Sequence, residues 1–168
     1  FSYHVPGQKL TLEQPDDNVC WATSFTILKC WKDGRSYTIQ KALSHVGRHW
    51  VKKFQRNEPL ADSRRFFRDA GLRIEPRASL TIEGWGQMLR RHGLAYLDVL
   101  SPRDVRRWVG HGVVVEGIWG DGSPYGTNVS FIDPAYGSGA RLPFATFNTM
   151  YAKRGRAETP NAAQIAHY

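Results

Sequence analysis

Apolar residues recur at helical spacing in the first half of the chain. This pattern predicts four helices, which run from Cys20 to Trp31, from Thr38 to about Phe54, from just after Pro59 to Ala70, and from Thr81 to Arg91. Glycines at or just beyond the predicted ends of three of these helices, Gly34, Gly71 and Gly93, are typical of helix C-termini. The first half of the chain is therefore predicted to be helical.

After Gly93 the pattern changes to short runs of β-branched and aromatic residues. Strands are predicted at 94–100, 113–118 and 128–132, with a Gly-rich turn at 120–126 and a short helix at 144–151. Residues 1–13 are expected to form an extended arm, and residues 153–168 a polar, loosely ordered tail. Helices followed by strands are typical of an α+β fold, which we expect to have two lobes that meet at a cleft.

The composition fits one globular domain. The chain has 168 residues, of which 41% are hydrophobic and 12% aromatic, enough to bury a substantial core. No apolar run approaches the roughly 20 residues that span a bilayer, and no secretory apolar segment opens the sequence. Because the sequence begins at Phe1 rather than at methionine, we expect a processed product, a cut fragment or the end domain of a longer protein.

The formal net charge is +8, which raises the question of an acidic partner, nucleic acid included. The basic residues are spread along the chain and form no single block, and no zinc-finger or RNP-type pattern accompanies them. A solvated basic surface is therefore favoured over nucleic-acid binding.

The segment from Gln14 to Cys20 and Trp21 carries the strongest chemical signal. Cys20 begins a predicted helix, where the positive end of the helix dipole favours the nucleophilic thiolate. The amide of Gln14, six residues earlier, could donate a hydrogen bond to an oxyanion beside the sulfur. The other cysteine, Cys30, is ten residues further along the same helix, about 15 Å away, which is too far for a disulfide. We expect Cys30 to be a core residue.

A nucleophilic cysteine needs a base, and six histidines compete for that role. His45 and His49 are four apart on a predicted helix, a spacing that fits either a metal pair or, more simply, two solvated side chains. His111 differs because glycines flank it at the mouth of the strand 113–118. A hairpin with the strand 128–132 would bring His111 beside Asp133, which could orient the imidazole. Alternatively, Asp133 only starts an Asp-Pro turn.

Taken together, these segments resemble the papain-like cysteine proteases, in particular the compact bacterial branch that includes the AvrRpt2-like effectors, peptidase family C70. The resemblance lies in Gln14 with Cys20-Trp21-Ala22, in Gly110-His111-Gly112 with the Val-rich strand after it, in Ile132-Asp133-Pro134, and in the aromatic residues Phe144, Phe147 and Tyr151. It implies a single papain-like catalytic domain at 1–152, with a helical part at about 14–93 and a β part at about 94–152. Residues 153–168 remain outside this domain.

The resemblance also implies a role for each residue of the site. Cys20 is expected to be the nucleophile, His111 the base and then the acid, Asp133 the orienting group and Gln14 the oxyanion donor. No cofactor or metal is expected. The expected activity is hydrolysis of peptide bonds in a protein substrate through an acyl-enzyme on Cys20.

By analogy with bacterial relatives, the chain is expected to be a secreted effector or toxin domain that is delivered into a target cell. An acidic immunity or inhibitor protein is a possible partner. Two other functions stay open at this level. One is an amidase that cuts peptidoglycan peptides, and the other is a non-enzymatic binding module with a buried cysteine.

Overall fold

Six helices and seven strands form the parts of the chain that the structure, a computed structural model, describes. These parts are residues 1–104, 107–157 and 161–168, without the side chains of 102–104, 107–109 and 157. The helices are α1 Cys20–Asp33, α2 Ile39–Ser44, α3 Arg48–Gln55, α4 Ser63–Asp69, α5 Ile82–His92 and α6 Phe144–Ala157. The strands are β1 Ser2–His4, β2 Arg73–Ile74, β3 Ala95–Asp104, β4 Arg107–Gly120, β5 Thr127–Asp133, β6 Ser138–Pro143 and β7 Ile165–His167.

All seven strands belong to one antiparallel sheet with the order β2-β7-β3-β4-β5-β6, and β1 pairs with the second half of β4. Helices α1 and α5 pack against β4, while α6 packs against β3. Mixed helices and an antiparallel sheet make this an α+β fold, as the sequence predicted.

Helix α1 is buried on nearly every side, and it forms the centre of the helical part. Its large apolar side chains, Trp21, Phe25, Ile27 and Leu28, are at most 1% exposed. Three hydroxyl residues are buried with them, and each has a carbonyl partner: Thr23 bonds to Val19, Thr26 to Ala22 and Ser24 to Gly112. Because buried polar groups are costly without partners, these bonds allow a polar helix face to lie against the sheet. Gly34, with φ of 63°, ends the helix.

Three predictions about the elements were wrong. The expected helix from Thr38 to Phe54 is two helices, α2 and α3, because the chain turns at Gly47 with φ of 159°. The strand that contains His111 starts at Arg107, so His111 lies inside β4 and not at its mouth. Pairing of Leu100 and Ser101 with Gly110 and Val109 extends the ladder beyond the apolar run that marked the strand in the sequence.

The predicted polar tail at 153–168 is the third error. Helix α6 continues to Ala157, and β7 at Ile165–His167 lies between β2 and β3 in the sheet. Residues Ala162 to His167 are all buried. The polar members are tolerated because they have partners: the amide of Gln164 donates to the Tyr151 carbonyl at 2.6 Å. A loosely ordered tail is therefore excluded for residues 161–168.

Candidate active site

Cys20 is the first residue of α1, and its thiol is partly exposed. The residue before it, Val19, offers no side-chain cap, and the first turn of the helix contains no acidic residue. The backbone N–H groups of a first helical turn have no partner inside the helix. The Cys20 N–H donates no hydrogen bond within the described ranges, so it is available to a ligand beside the sulfur.

Both backbone polar groups of Gly112 are bound to α1. Its N–H donates to the Sγ atom of Cys20 at 3.4 Å, and its carbonyl accepts from the hydroxyl of Ser24 at 2.9 Å. Cys20 and Ser24 are four residues apart and thus lie on one face of the helix. The two bonds hold the helix against β4 beside His111.

His111 and Asp133 are joined by a 2.6 Å hydrogen bond between Nε2 and Oδ1. Asp133 ends β5, and its Oδ1 also accepts from the backbone N–H of Ala135 at 2.9 Å, within the turn that follows. The Asp-Pro turn and the orienting contact with His111 therefore occur together. His111 itself is buried, with 3% of its surface exposed.

The surroundings of His111 favour its charged form. Burial opposes the imidazolium, but the hydrogen bond to Asp133, together with the hydrogen bond and negative charge of the Cys20 sulfur, outweighs burial and raises the pKa of His111 to about 9. Since Nε2 is bound to Asp133, Nδ1 is the nitrogen left for the thiol, and it has no other partner among the described residues. The arrangement can stabilise a thiolate and imidazolium pair.

Gln14 lies beside His111 and Asp133, away from the cavity that contains Cys20. Its backbone N–H donates to the Pro134 carbonyl at 2.8 Å, which fixes its loop to the turn after Asp133. Its side-chain nitrogen donates to the carbonyl of Asp16 at 2.8 Å, while its buried Oε1 finds no partner in the part of the chain that the structure describes. Gln14 lines a cavity with His111 and Asp133, not the cavity that contains Cys20. The structure thus brings Cys20, His111 and Asp133 together, with Gln14 beside them and its amide turned to Asp16.

A cavity of about 340 Å³ opens at Cys20. Its lining includes Trp21 and His111, and also a buried ion pair between Asp98 and Arg154. Two guanidinium nitrogens of Arg154 lie 2.8 and 2.7 Å from Oδ2 of Asp98. Burial raises the pKa of Asp98, and the charge and hydrogen bonds of Arg154 act in the opposite direction. The cavity therefore has a mixed polar and apolar lining that includes a paired charge.

Sequence reasoning missed three features of this site, namely the Ser24 hydroxyl, the Asp98–Arg154 pair and the contact of Asn18. The glycines around His111 did indicate close approach, and a side chain at Gly112 or Gly110 would indeed meet Tyr96 or Arg154. The hydroxyl of Ser24 and the Asp98–Arg154 pair had no signal, because their partners are more than fifty residues away. The remaining group, Asn18 with its partner in the loop after α3, likewise depends on a long-range contact.

Comparison with known proteins agrees with this geometry. The sequence model of the Peptidase_C70 family, described as papain-like cysteine protease AvrRpt2, matches residues 2–152. No curated protein gives a significant match. The matched range contains Cys20, His111 and Asp133 as well as Gln14. The chain belongs to the C70 family of papain-like cysteine proteases, and it is a hydrolase of the cysteine peptidase type.

Proposed function

We propose that this peptidase cleaves peptide bonds through an acyl-enzyme on Cys20, with His111 as base and acid and Asp133 as the group that orients it. The observation that carries the proposal is the 2.6 Å bond between His111 and Asp133 on one side of an imidazole whose other nitrogen is left to the Cys20 thiol. A nucleophile, a base and an orienting carboxylate are the parts that acyl transfer needs.

In the first half of the reaction, the Cys20 thiolate attacks the carbonyl carbon, and a tetrahedral oxyanion forms. The C–N bond then breaks as the His111 imidazolium gives its proton to the leaving amine. In the second half, neutral His111 takes a proton from water, and the hydroxide attacks the thioester. The acid leaves, and the thiolate and imidazolium are restored.

The oxyanion requires hydrogen-bond donors beside the sulfur. The Cys20 N–H is in that position and has no other partner within the described ranges. Gln14 is proposed as the second donor. Its amide has two N–H bonds and uses one on Asp16, and a turn of this side chain when substrate binds would direct the other to the oxyanion. We place the substrate in a cleft between two lobes, along the cavity at Cys20.

Replacing each cysteine by alanine separates a nucleophile from a core residue. Cys20→Ala should abolish cleavage of a casein substrate without changing the circular dichroism spectrum. Cys30→Ala is the matched control. Cys30 is buried in the same helix and accepts the Tyr37 N–H at 3.2 Å, so its loss should reduce stability but not cleavage. An active Cys20→Ala protein would disprove the proposal.

Membership of a peptidase family argues against the binding-module alternative. An amidase that cuts peptidoglycan peptides remains a second candidate, because the net charge of +8 suits an anionic cell wall. Muropeptides and a denatured protein mixture, each incubated with the wild-type and Cys20→Ala proteins, distinguish the two. New muropeptide fragments without protein cleavage would favour the amidase, and mass spectrometry of cleaved proteins would identify the preferred protein substrates.

We further propose that the protein is a bacterial effector or toxin domain that is secreted or delivered into a target cell, and that an acidic immunity or inhibitor protein covers its cleft. The basic surface supports such a partner. In the described ranges, no helix has the length and apolar character to span a bilayer. Co-purification from the source cells, followed by an inhibition assay with the captured acidic protein, tests this part of the proposal. Absence of inhibition would count against it.

A further inference from the structure

Three possible metal ligands from distant parts of the sequence meet outside the cavity that contains Cys20. Glu75 follows β2, His92 is the last residue of α5, and His167 lies in β7. One ligand atom from each residue can be chosen so that all lie within 4.8 Å of one another. The sheet creates this cluster, because β7 pairs with β2 and places Arg73 opposite His167.

The ring of His167 has a hydrogen-bond acceptor at each nitrogen. Nε2 lies 2.6 Å from Oε1 of Glu75, and Nδ1 lies 3.0 Å from a backbone oxygen of Tyr168. The ring of His167 is completely buried, and a neutral imidazole has only one N–H to donate to these two acceptors. If a metal ion binds Nε2, a neutral ring satisfies both sides, because Nδ1–H then donates to the Tyr168 oxygen. This is the usual second-shell arrangement of a metal-bound histidine.

His92 supplies a second imidazole. Its ring stacks on that of His167 with centroids 3.8 Å apart and planes 21° from parallel. Among the described residues, no hydrogen bond to the His92 ring is present. A histidine ring that is not engaged in a hydrogen bond can offer a nitrogen lone pair to a metal ion.

We propose that Glu75, His92 and His167 bind one Zn²⁺ ion. Two imidazoles and one carboxylate are a donor set that zinc takes with a fourth position open to water. Bonds of about 2.0 Å place tetrahedral ligands about 3.3 Å apart. The ion takes the place of the proton between His167 and Glu75, whose Nε2 and Oε1 atoms separate from 2.6 Å to about 3.3 Å to admit it.

The donor types of the cluster select the class of metal. Imidazole nitrogen is a ligand for zinc rather than for magnesium. A bound zinc ion would join the end of α5 to β2 and β7, which already pair with each other in the sheet.

The test is calorimetric titration of Zn²⁺ into the full chain carrying Cys20→Ala, so that the active-site thiol cannot bind the metal. We expect one ion per chain. In the same background, Glu75→Gln and His92→Gln should each weaken binding at least tenfold, because each loses one of three ligands. The matched control is His49→Gln, which changes an exposed histidine on α3 and should bind zinc unchanged.

The melting temperature gives a second readout. Zinc in excess should raise it in the Cys20→Ala chain and in the His49 control, but not in the His92→Gln protein, since only a ligand of the folded state stabilises it. Magnesium at the same concentration should change nothing. Absence of zinc binding, or equal binding by the His92→Gln chain, would leave Glu75 and His167 as a hydrogen-bonded pair only and would overturn the proposal. Because all arms lack the nucleophile, the result is independent of the proposed peptidase mechanism.

Discussion

The hydroxyl of Ser24 donates a hydrogen bond to the carbonyl of Gly112, whose own N–H points at the sulfur of Cys20. One residue of β4 is therefore bound through both its N–H and its carbonyl to one face of α1. Because Gly112 follows His111 directly, these two bonds set the position of the base relative to the nucleophile. The distance between Cys20 and His111 depends on how the helix and the sheet are fastened together.

Ser24→Ala should therefore lower kcat by roughly tenfold with little change in KM, because a shift of the base affects the chemical step more than substrate binding. It leaves a buried carbonyl unpaired and should cost about 1–3 kcal/mol of stability. Steady-state kinetics and urea unfolding measure both effects. Thr26→Ala is the matched control, since Thr26 bonds to Ala22 within its own helix. Equal activity in both variants would show that the Ser24 bond does not position the base.

Gly112→Ala should inactivate and destabilise the enzyme, because the new methyl group would overlap the hydroxyl and ring of Tyr96. Adding Tyr96→Phe should recover part of the loss, since it removes the hydroxyl but leaves the ring. A double-mutant cycle on the free energy of unfolding measures this coupling. Additive effects of the two changes would contradict the proposed overlap.

Asp133→Asn should move the alkaline limit of activity to lower pH. His111 must be protonated to donate to the leaving amine, so wild-type activity should fall as the pH rises through about 9. Loss of the Asp133 charge removes one of the interactions that raise this pKa. Measuring kcat/KM between pH 6 and 10 for both proteins tests this shift. If the alkaline limb were unchanged in Asp133→Asn, a group other than His111 would cause the loss of activity at high pH.

The same pKa predicts how stability changes with pH. The pKa of His111 is raised from 6.5 to about 9 on folding, so its stabilising contribution is fully present below pH 6.5 and is lost as the pH rises towards 9. Urea midpoints of the wild-type protein should decline over this window more steeply than those of His111→Ala. Parallel declines would mean that other groups cause the change.

Asn57 is predicted to support the segment before Cys20. Its side-chain and backbone oxygens accept from the backbone and side-chain N–H groups of Asn18, both at 3.2 Å. Its φ of 51° is the only positive value of a non-glycine residue in the described ranges. Asn57→Gly keeps this conformation and loses one bond, whereas Asn57→Ala also strains the backbone.

We therefore expect activity and stability to fall in the order wild type, Asn57→Gly, Asn57→Ala, with a loss of about 1–2 kcal/mol for alanine. Peptide cleavage and thermal unfolding rank the three proteins. If the Asn57→Ala and Asn57→Gly proteins were equally stable, the left-handed conformation at this position would not destabilise a residue with a side chain.

Ile165→Ala should destabilise the protein by about 2–5 kcal/mol, although its segment was predicted to be a loose tail. Ile165 is 2% exposed and lies in a strand between two others. Tyr125→Ala, at a side chain that is 83% exposed, serves as the control and should change stability by less than about 0.5 kcal/mol. If the two variants unfolded at similar urea concentrations, β7 would not be part of the stable core.

The sequence predicted those features of the fold that depend on the local pattern of apolar and polar residues. Helical spacing identified α1 and α5, and the two apolar strands gave a hairpin in which His111 meets Asp133. It could not predict β7, since a run such as Ala-Ala-Gln-Ile-Ala-His has no strong period, and its polar side chains are buried only because distant partners receive them. The orientation of the Gln14 amide depends on a bond to Asp16 that no pattern shows.

The position of β7 has a consequence for the order in which the chain becomes folded. Synthesis produces β2 and β3 about seventy to ninety residues before Ile165, yet neither can pair across the gap that β7 fills. Until then, both present unpaired edges, and the late strand must enter between them, a long-range step of the kind that slows folding. We expect a chain that is truncated before residue 165 to keep these edges exposed and to aggregate more readily than the full chain.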